Sequence, residues 1–260
     1  MKTSTVQIRV VALLALTAWL NTSQAADKAV KEEAAAAGKA QDAVPSVAVT
    51  PAAEKPGKTD TMPVYVPPRR GAPLARVGGG TRGAGDNRPF VTVITPEHTG
   101  LTSTSRPLLF WYLSDDMQTR FEFALIDENG IDPIIEITSD EKMQAGLNSL
   151  DLSRHGVTLE PGTSYQWSVA LVGEPERRSS DIVSSGMIEY VALNPDQQAE
   201  LSRGGNEEAL QFYAREGYWY DVFSTLSELI ESDPDNAELR RQRRALLEQI
   251  GLDEVAAAEQ

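Results

Sequence analysis

From residue 90 onward, apolar and polar side chains alternate along the chain with the period of two that is typical of β-strands. The clearest segment is Ser164–Val172, in which Tyr165, Trp167, Val169 and Leu171 share one face. Six further segments predict strands: Phe90–Ile94, Pro107–Leu113, Phe121–Leu125, Ile131–Thr138, Leu147–Leu152 and Ile182–Ala192. Seven short strands separated by turn signals predict a seven-stranded fibronectin- or immunoglobulin-like β-sandwich over residues 88–192.

Two turns sharpen this prediction. Asn129-Gly130 predicts a tight hairpin because both residues tolerate positive φ, and Pro133 predicts that the returning strand lies at a sheet edge. Pro161-Gly162 supplies the turn before the longest strand. Tyr165 then stands where fibronectin-like sandwiches place a tyrosine whose hydroxyl bonds back to the backbone across the corner. The alternative for this segment is an ordinary Pro-Gly turn before an ordinary strand.

Beyond residue 192 the apolar spacing changes to three and four, which predicts a helical extension over residues 193–260. Asn194 and Asn206 are expected N-caps, and Asp233–Asn236 separates the third helix from a fourth that ends at Gly251. The third helix carries an apolar stripe: Trp219, Val222, Phe223, Leu226, Leu229 and Ile230. Its junction with the fourth is similar to a single tetratricopeptide unit, whereas stacked arrays need about three. The chain is therefore expected to be β-rich and of the α+β class.

The N-terminal residues 1–25 have the pattern of a signal peptide. Lys2 and Arg9 give a positive start, Val10–Leu20 is apolar, and Ser23–Ala25 is a small-x-small cleavage site. The apolar run is shorter than the ~20 residues that cross a bilayer, so a short membrane anchor is the weaker alternative. Residues 26–66 are poor in aromatic side chains and predict a disordered tether. We expect an exported protein, periplasmic or extracellular.

Charge is distributed unevenly along this chain, whose net charge is -14. Residues 26–85 hold nine basic and six acidic side chains, residues 86–191 seven and seventeen, and residues 192–260 six and fifteen. The two segments from residue 86 onward are so acidic that they repel nucleic acid and anionic lipid, which argues against both as partners. The chain has no cysteine, which excludes disulfides and thiolate chemistry.

Residues 67–87 form a lead-in that is rich in glycine and arginine. Gly78, Gly80 and Gly83 match G-x-G-x-x-G, but a dinucleotide site also needs a preceding strand, a following helix and a downstream acid. Because none of these is predicted here, we expect no cofactor. Four arginines remain to be explained: Arg69, Arg70, Arg76 and Arg82. Either they fold back on the acidic part of the chain, or they bind an anionic envelope polymer.

Catalytic and metal-binding patterns are missing from the sequence. His98 and His155 are its only histidines, and neither a zinc pattern nor a nucleophile elbow occurs. Asp115-Asp116 and Asp140-Glu141 are adjacent pairs in predicted turns, so their side chains diverge. An enzyme would need acids from distant parts of the chain to converge in a pocket. We therefore expect a protein that is not an enzyme and holds no cofactor or metal.

Aromatic side chains suggest one binding surface. Trp167 and Trp219 follow the apolar faces of their elements and are expected in the core. Stacking on sugar rings is possible for the remaining aromatics Trp111, Tyr112, Tyr218 and Tyr220, of which Trp111 and Tyr218 are the better candidates for exposure. Exposure of Trp111 and Tyr218 would favour a carbohydrate-binding module, and burial of both would remove its motivation.

Several strings of the chain, taken in order, resemble the bacterial domain of unknown function family 928, whose members are typically exported. The strings are Arg69–Pro73, Arg76–Gly83, Gly100–Thr102, Arg106–Tyr112, Tyr165–Trp167 and Tyr218–Asp221. The resemblance spans roughly Pro67 to Leu252 and implies no known activity, cofactor or catalytic residue.

The sequence thus predicts a non-enzymatic, exported module that binds another envelope protein through a sandwich face or the helical stripe. A carbohydrate- or cell-wall-binding module is the alternative, and an enzyme of unrecognised type comes third.

Overall fold

The structure, a computed structural model, describes residues 7–10, 62–68, 76–78, 89–174 and 176–259. Over these ranges the chain has an α+β fold with two β-sheets followed by five helices. The strands are β1 (Gln7–Val10), β2 (Val91–Val93), β3 (Gly100–Thr102), β4 (Leu108–Leu113), β5 (Arg120–Asp127), β6 (Ile135–Ser139), β7 (Gly146–Asp151), β8 (Ser164–Val172) and β9 (Ile182–Tyr190). The helices are α1 (Pro195–Arg203), α2 (Asn206–Glu216), α3 (Trp219–Ser232), α4 (Ala237–Gln249) and α5 (Asp253–Ala258).

The strands form one sheet of six and one sheet of three. Their orders are β1-β6-β5-β8-β9-β3 and β2-β4-β7, and every pairing is antiparallel except that of β3 with β9. Trp111 of β4 stacks on Phe121 of β5, with ring centroids 5.2 Å apart. The two sheets therefore face each other, and a hydrophobic core lies between them.

All seven predicted strands are present. The sequence missed β3, which is only three residues long and pairs with the far end of β9. A strand this short has too few positions to show alternation, and its partner lies 88 residues away in the register of Gly100 with Ile188. The sequence also missed β1, which lies inside the predicted signal peptide and pairs with β6.

The connection between β5 and β6 differs from its prediction. The two strands do pair as an antiparallel hairpin, but residues 128–134 join them in a longer loop. Asp127 caps the loop: its carboxylate accepts from the Asn129 N–H at 2.8 Å, and its carbonyl accepts from the Gly130 N–H at 2.8 Å. Gly130 is not among the glycines with positive φ, so the tight turn is wrong. Pro133 predicted that the returning strand lies at a sheet edge. This prediction is also wrong, because β6 lies between β1 and β5.

The corner before β8 has the predicted geometry. The Tyr165 hydroxyl accepts a hydrogen bond from the Glu160 N–H at 2.9 Å, and Gly162 turns the chain with a φ of 73°. Pro161 is exposed beside it, whereas Tyr165 and Trp167 are buried. The corner therefore fixes the start of the strand that lies at the centre of the larger sheet.

The helices begin and end close to their predicted limits. Asn194 and Asn236 are the N-caps of α1 and α4, and each accepts hydrogen bonds from the first turn of its helix. Gly205, not Asn206, precedes the first residue of α2. Gly251 ends α4 with a φ of 71°, as expected, but the short helix α5 follows it.

Helix α3 packs against the outer surface of the smaller sheet. Trp111 of β4 faces the other sheet, so its neighbour Phe110 points outward. Phe110 is nevertheless buried, because it meets Phe223 of α3 edge to face at 5.1 Å. A single hydrophobic cluster continues from the space between the sheets into α3, α4 and α5. The helices therefore share the core of the sheets and do not form a separate body.

A substitution of Tyr165 tests the corner. Tyr165→Phe removes the hydroxyl that accepts from the Glu160 N–H, and we expect a loss of about 1–2 kcal/mol in the free energy of unfolding, measured with urea. Tyr112→Phe is the matched control, since Tyr112 is half-buried and its hydroxyl makes no hydrogen bond with another described residue. Equal losses in the two variants would contradict a special role for the corner.

Candidate functional site

The string Tyr218–Asp221, which supports the family resemblance, forms the start of α3 and joins the helices to the sheets. Trp219 is fully buried, and its indole N–H donates to the Ile94 carbonyl at 3.0 Å, just after β2. Its ring also stacks on Phe223 one turn along the helix, with centroids 5.8 Å apart. Trp219 is thus in the core, as predicted, and holds α3 at the end of β2.

Tyr220 binds both sheets through one hydroxyl group. The hydroxyl accepts from the Trp167 indole N–H at 2.8 Å and lies 3.1 Å from both the Met187 carbonyl and the Thr95 hydroxyl. A phenol has one proton to donate and two lone pairs, so these three partners satisfy it fully. Burial raises the pKa of Tyr220, which therefore remains a neutral donor and acceptor at any physiological pH. We call the contacts of Trp219 and Tyr220 with the sheets the α3 junction.

Two glycines let the chain segments approach closely at the α3 junction. A Cβ atom on Gly186 of β9 would overlap the Thr95 side chain. A Cβ atom on Gly100 would lie 2.8 Å from the Tyr220 ring. Glycine is thus required here by space, since neither residue has a positive φ.

The end of the predicted tether is ordered, and this part of the tether prediction is wrong. Residues 62–68, which we call the strap, run across α2 and α4. Val66 N–H donates to the Ala214 carbonyl at 2.9 Å, and Tyr65 N–H donates to the Gln249 side chain at 2.8 Å. The Gln249 amide donates in return to the Pro63 carbonyl at 3.1 Å. The strap therefore ties a segment that precedes β2 to α4 near the end of the chain.

Tyr65 carries most of the burial in the strap. Its ring meets Trp219 edge to face at 5.1 Å and stacks on His98 at 5.9 Å. The His98 ring lies between the Thr99 carbonyl, 2.9 Å from Nδ1, and the Tyr65 hydroxyl, 3.3 Å from Nε2. Since a carbonyl group can only accept, Nδ1 donates to Thr99. His98, which sequence reasoning left in a loop, thus has a structural position beside the α3 junction.

Arg76 is a structural residue of the folded body. Its guanidinium donates to the Thr95 carbonyl at 2.7 Å and to the Ile250 carbonyl at 3.3 Å. Val77 next to it exchanges two backbone hydrogen bonds with Ser185 of β9, at 3.1 and 3.0 Å. The lead-in thus packs on β9 at residues 76–78. Arg69, Arg70 and Arg82 lie outside the described residues.

The aromatic candidates for an exposed binding surface are in the core. Trp111 is 3% exposed and Tyr218 is 4% exposed, so the prediction that they face solvent is wrong. Trp111 alternates into the space between the sheets, and Tyr218 packs with Phe212 and Leu101 under α2. Tyr112 is half-buried against Phe90. The flat exposed aromatics that a sugar-binding surface would need are therefore missing from this set.

Acidic side chains of the predicted turns bind nearby basic and backbone groups. Asp116 pairs with Lys142 at 2.5 Å and accepts from the Ala145 N–H, and Asp140 pairs with Arg120 at 2.9 Å. Within the described ranges, no group of three or more His, Cys, Asp or Glu side chains could hold a metal ion. No helix of those ranges has the length and apolar character needed to cross a membrane.

The outer surface of the larger sheet is the remaining candidate for binding. Because Trp167, Val169, Phe123 and other alternate residues face the core, their neighbours point away from it. We call this surface of β6, β5, β8 and β9 the open face. Its members are Glu122, Ala124, Ile126, Glu136, Thr138, Gln166, Ser168, Ala170, Val183, Ser185 and Met187.

Small uncharged side chains occupy the centre of the open face. Ala124, Ser168 and Ser185 lie side by side in one row across three strands. Gln166 and Val183 on either side of this row are exposed. A depression of about 270 Å³ lies at one end, lined by side chains that include Ile126, Glu128 and Met187. This volume is at the low end of the range of roughly 300–1,000 Å³ typical of small-molecule sites.

Sequence reasoning missed several residues of the α3 junction and the strap. Tyr65 looked like part of a disordered tether, and Tyr220 looked like a possible surface aromatic. The signal that could have found them is the clustering of aromatic residues at Tyr218–Tyr220, which is too dense for the single apolar stripe of one helix. Such density predicts a helix that is buried on more than one side.

Comparison with known proteins identifies the family. Residues 77–260 match the family described as Domain of Unknown Function (DUF928), and the chain belongs to it. No curated protein matches. A solved structure titled as a multi-domain immunophilin from Arabidopsis thaliana is 10% identical and covers 67% of this chain and 93% of its own, with a TM-score of 0.16. A TM-score this low carries no argument about fold or function.

A glycine substitution tests the close packing at the α3 junction. Gly186→Ala places a methyl group on the Thr95 side chain, and we expect a loss of about 1–3 kcal/mol in the free energy of unfolding. Gly173→Ala is the matched control, because a Cβ atom there meets nothing within 4 Å. Urea unfolding of both variants measures the difference, and an unaffected Gly186→Ala variant would contradict the packing described.

The strap generates a second prediction. Tyr65→Ala removes a buried ring between Trp219 and His98, and we expect it to cost about 3–5 kcal/mol of unfolding free energy. Val64→Ala should cost little, since Val64 is 64% exposed. Thermal or urea unfolding of the two variants separates a packed strap from a loosely attached one, for which both changes would be neutral.

Proposed function

We propose that this chain is an exported, non-enzymatic interaction module of the cell envelope, which binds a partner protein through the open face. One observation carries the proposal: a helix packs on the outer surface of the smaller sheet, whereas side chains on the outer surface of the larger sheet are exposed. Helix α3 buries Phe110 on the outer surface of the smaller sheet, whereas Gln166 and Val183 stay exposed on the larger one. Export is supported by the signal-like residues 1–25.

The topology supports a fibronectin- or immunoglobulin-like assignment for the sandwich. β2, β4 and β7 take the places of strands A, B and E, and β6, β5, β8 and β9 take those of C′, C, F and G. The tyrosine corner stands at the start of β8, where strand F carries it. Consecutive contacts of α2, α3 and α4 support the single tetratricopeptide-like unit.

The chemistry of the open face indicates the kind of partner. Ala124 and Ser168, which are half-buried, leave room for the side chains of another protein to come near the backbone of the sheet, whereas Ser185 at the end of their row is buried beside Val77. Glu128 and Glu136 are exposed at its margins, and the whole chain has a charge of -14. A partner surface that is uncharged in the middle and basic at its rim would fit this arrangement best.

The other candidates have less support. A carbohydrate-binding module was motivated by Trp111 and Tyr218, which are buried. The arginine-rich lead-in was the candidate for binding an anionic polymer. Arg76 has less capacity for this role, because its guanidinium already donates to two carbonyl groups. We therefore assign the partner to the open face.

Site-specific cross-linking in cells tests the proposal. A photoreactive amino acid at Gln166 should yield one discrete cross-linked species, and the same group at Glu231, exposed on α3, should not. Ser168→Arg should abolish the species by placing a charged chain in the centre of the open face. The purified partner, identified by mass spectrometry, should bind the Ser168→Arg variant at least tenfold more weakly than the wild type.

The controls separate loss of binding from loss of folding. Ser202→Arg, on the exposed side of α1, adds the same charge away from the open face and should leave binding unchanged. Both variants should unfold at the same temperature as the wild type. Identical cross-linking from Gln166 and Glu231, or binding that is unaffected by Ser168→Arg, would refute the proposal.

A further inference from the structure

Asp221 places a carboxyl group in the interior of the protein, without an ion-pair partner among the described residues. It lies in the first turn of α3 and accepts from the Ser103 N–H at 2.8 Å and from the Ser103 hydroxyl at 2.5 Å. Asp221 is 7% exposed and takes part in none of the ion pairs found among the described residues. Only neutral hydrogen-bond donors and the start of the helix therefore support a negative charge there.

The elements around Asp221 supply no compensating cation. β3 and the residue after it contribute Ser103, which donates to the carboxyl, and Thr102, whose hydroxyl donates to the Thr104 carbonyl. Helix α2 contributes Tyr213, a titratable group that interacts with Asp221. Burial raises the pKa of Tyr213, so this neighbour is neutral wherever Asp221 titrates.

Burial dominates the protonation of the carboxyl group itself. It raises the pKa of Asp221 to about 6, although the hydrogen bonds from Ser103 act in the opposite direction. The carboxyl therefore changes charge within the range of mildly acidic to neutral conditions, while it remains inside the folded chain.

The contact between Asp221 and Ser103 connects α3 to the end of β3. An apolar cluster of Leu101, Phe212 and Tyr218 lies at the same junction, between β3, α2 and the start of α3. Release of the carboxyl from Ser103 would loosen these elements together and expose that cluster. The rest of the core, which lies between the two sheets, would not need to open.

We propose that Asp221 and Ser103 form a proton-dependent latch, which holds α2 and α3 against β3 more firmly when the carboxyl is protonated. The sign follows from linkage: a group whose pKa is raised by folding stabilises the folded state most below its unfolded pKa of about 3.9, and loses this contribution as the pH rises through the folded value. The latch thus tightens on acidification and loosens towards neutral pH.

Unfolding across a range of pH tests the latch in the full-length protein. We expect the wild-type unfolding equilibrium constant to rise roughly 10- to 30-fold between pH 4.5 and 7.5 from this one group. Asp221→Asn cannot titrate and should remove that rise, whereas Asp233→Asn, an exposed control, should keep it. Asp116, Asp140 and Asp151 have lowered pKa values, so they titrate mainly below this window.

A second variant distinguishes titration from simple structural damage. Ser103→Ala removes a hydroxyl donor that favours the charged carboxylate, so the midpoint of the stability change should move to higher pH. Hydrogen exchange, corrected for its intrinsic pH dependence, should show faster opening of β3 and α3 at pH 7.5 than at pH 5. Parallel pH profiles for wild type and Asp221→Asn, or an unmoved midpoint in Ser103→Ala, would overturn the proposal.

Discussion

The insertion of the first turn of α3 between the sheet ends is the interaction on which the rest of the structure depends. Trp219 and Tyr220 each bury a large aromatic surface, which is worth on the order of 4–6 kcal/mol per ring by area. Their polar atoms would cancel much of this gain if they were unpaired, but each one reaches a partner on a strand or beside it. The close approach in turn requires Gly100 and Gly186.

Other contacts converge on this turn. The strap lays Tyr65 on Trp219, Arg76 holds the Thr95 carbonyl next to the hydroxyl that Tyr220 meets, and Asp221 connects the turn to Ser103. Several of the sequence strings that carry the family resemblance therefore lie close together in the folded chain, because they build the α3 junction. Much of the outer surface of the larger sheet takes no part in this junction, although Gln166 of the string Tyr165–Trp167 lies on it.

The sequence predicted local structure well and long-range packing poorly. Alternation identified seven strands, and the caps Asn194 and Asn236 and the corner at Tyr165 were read from short strings with known hydrogen bonds. The exposure of Trp111 and Tyr218 was predicted wrongly, because Trp111 is buried by the opposite sheet and Tyr218 by β3 and α2, and no local pattern encodes such packing. The burial of Tyr65 was missed for the same reason. It is one aromatic residue in a polar, proline-rich segment, and it is buried only by contacts with helices that come far later in the chain.

The reach of the strap has a consequence for the order of folding. Tyr65 bonds to Gln249 across 184 positions of sequence, and Trp219 bonds to Ile94 across 125. Contacts of such separation slow folding, because a long loop must close before they form. The strands can pair early, but the end of the sandwich stays uncapped until α3 and α4 have been synthesised. The strap can therefore take its place only after α4 has been made, and only a nearly finished polypeptide can reach the native state.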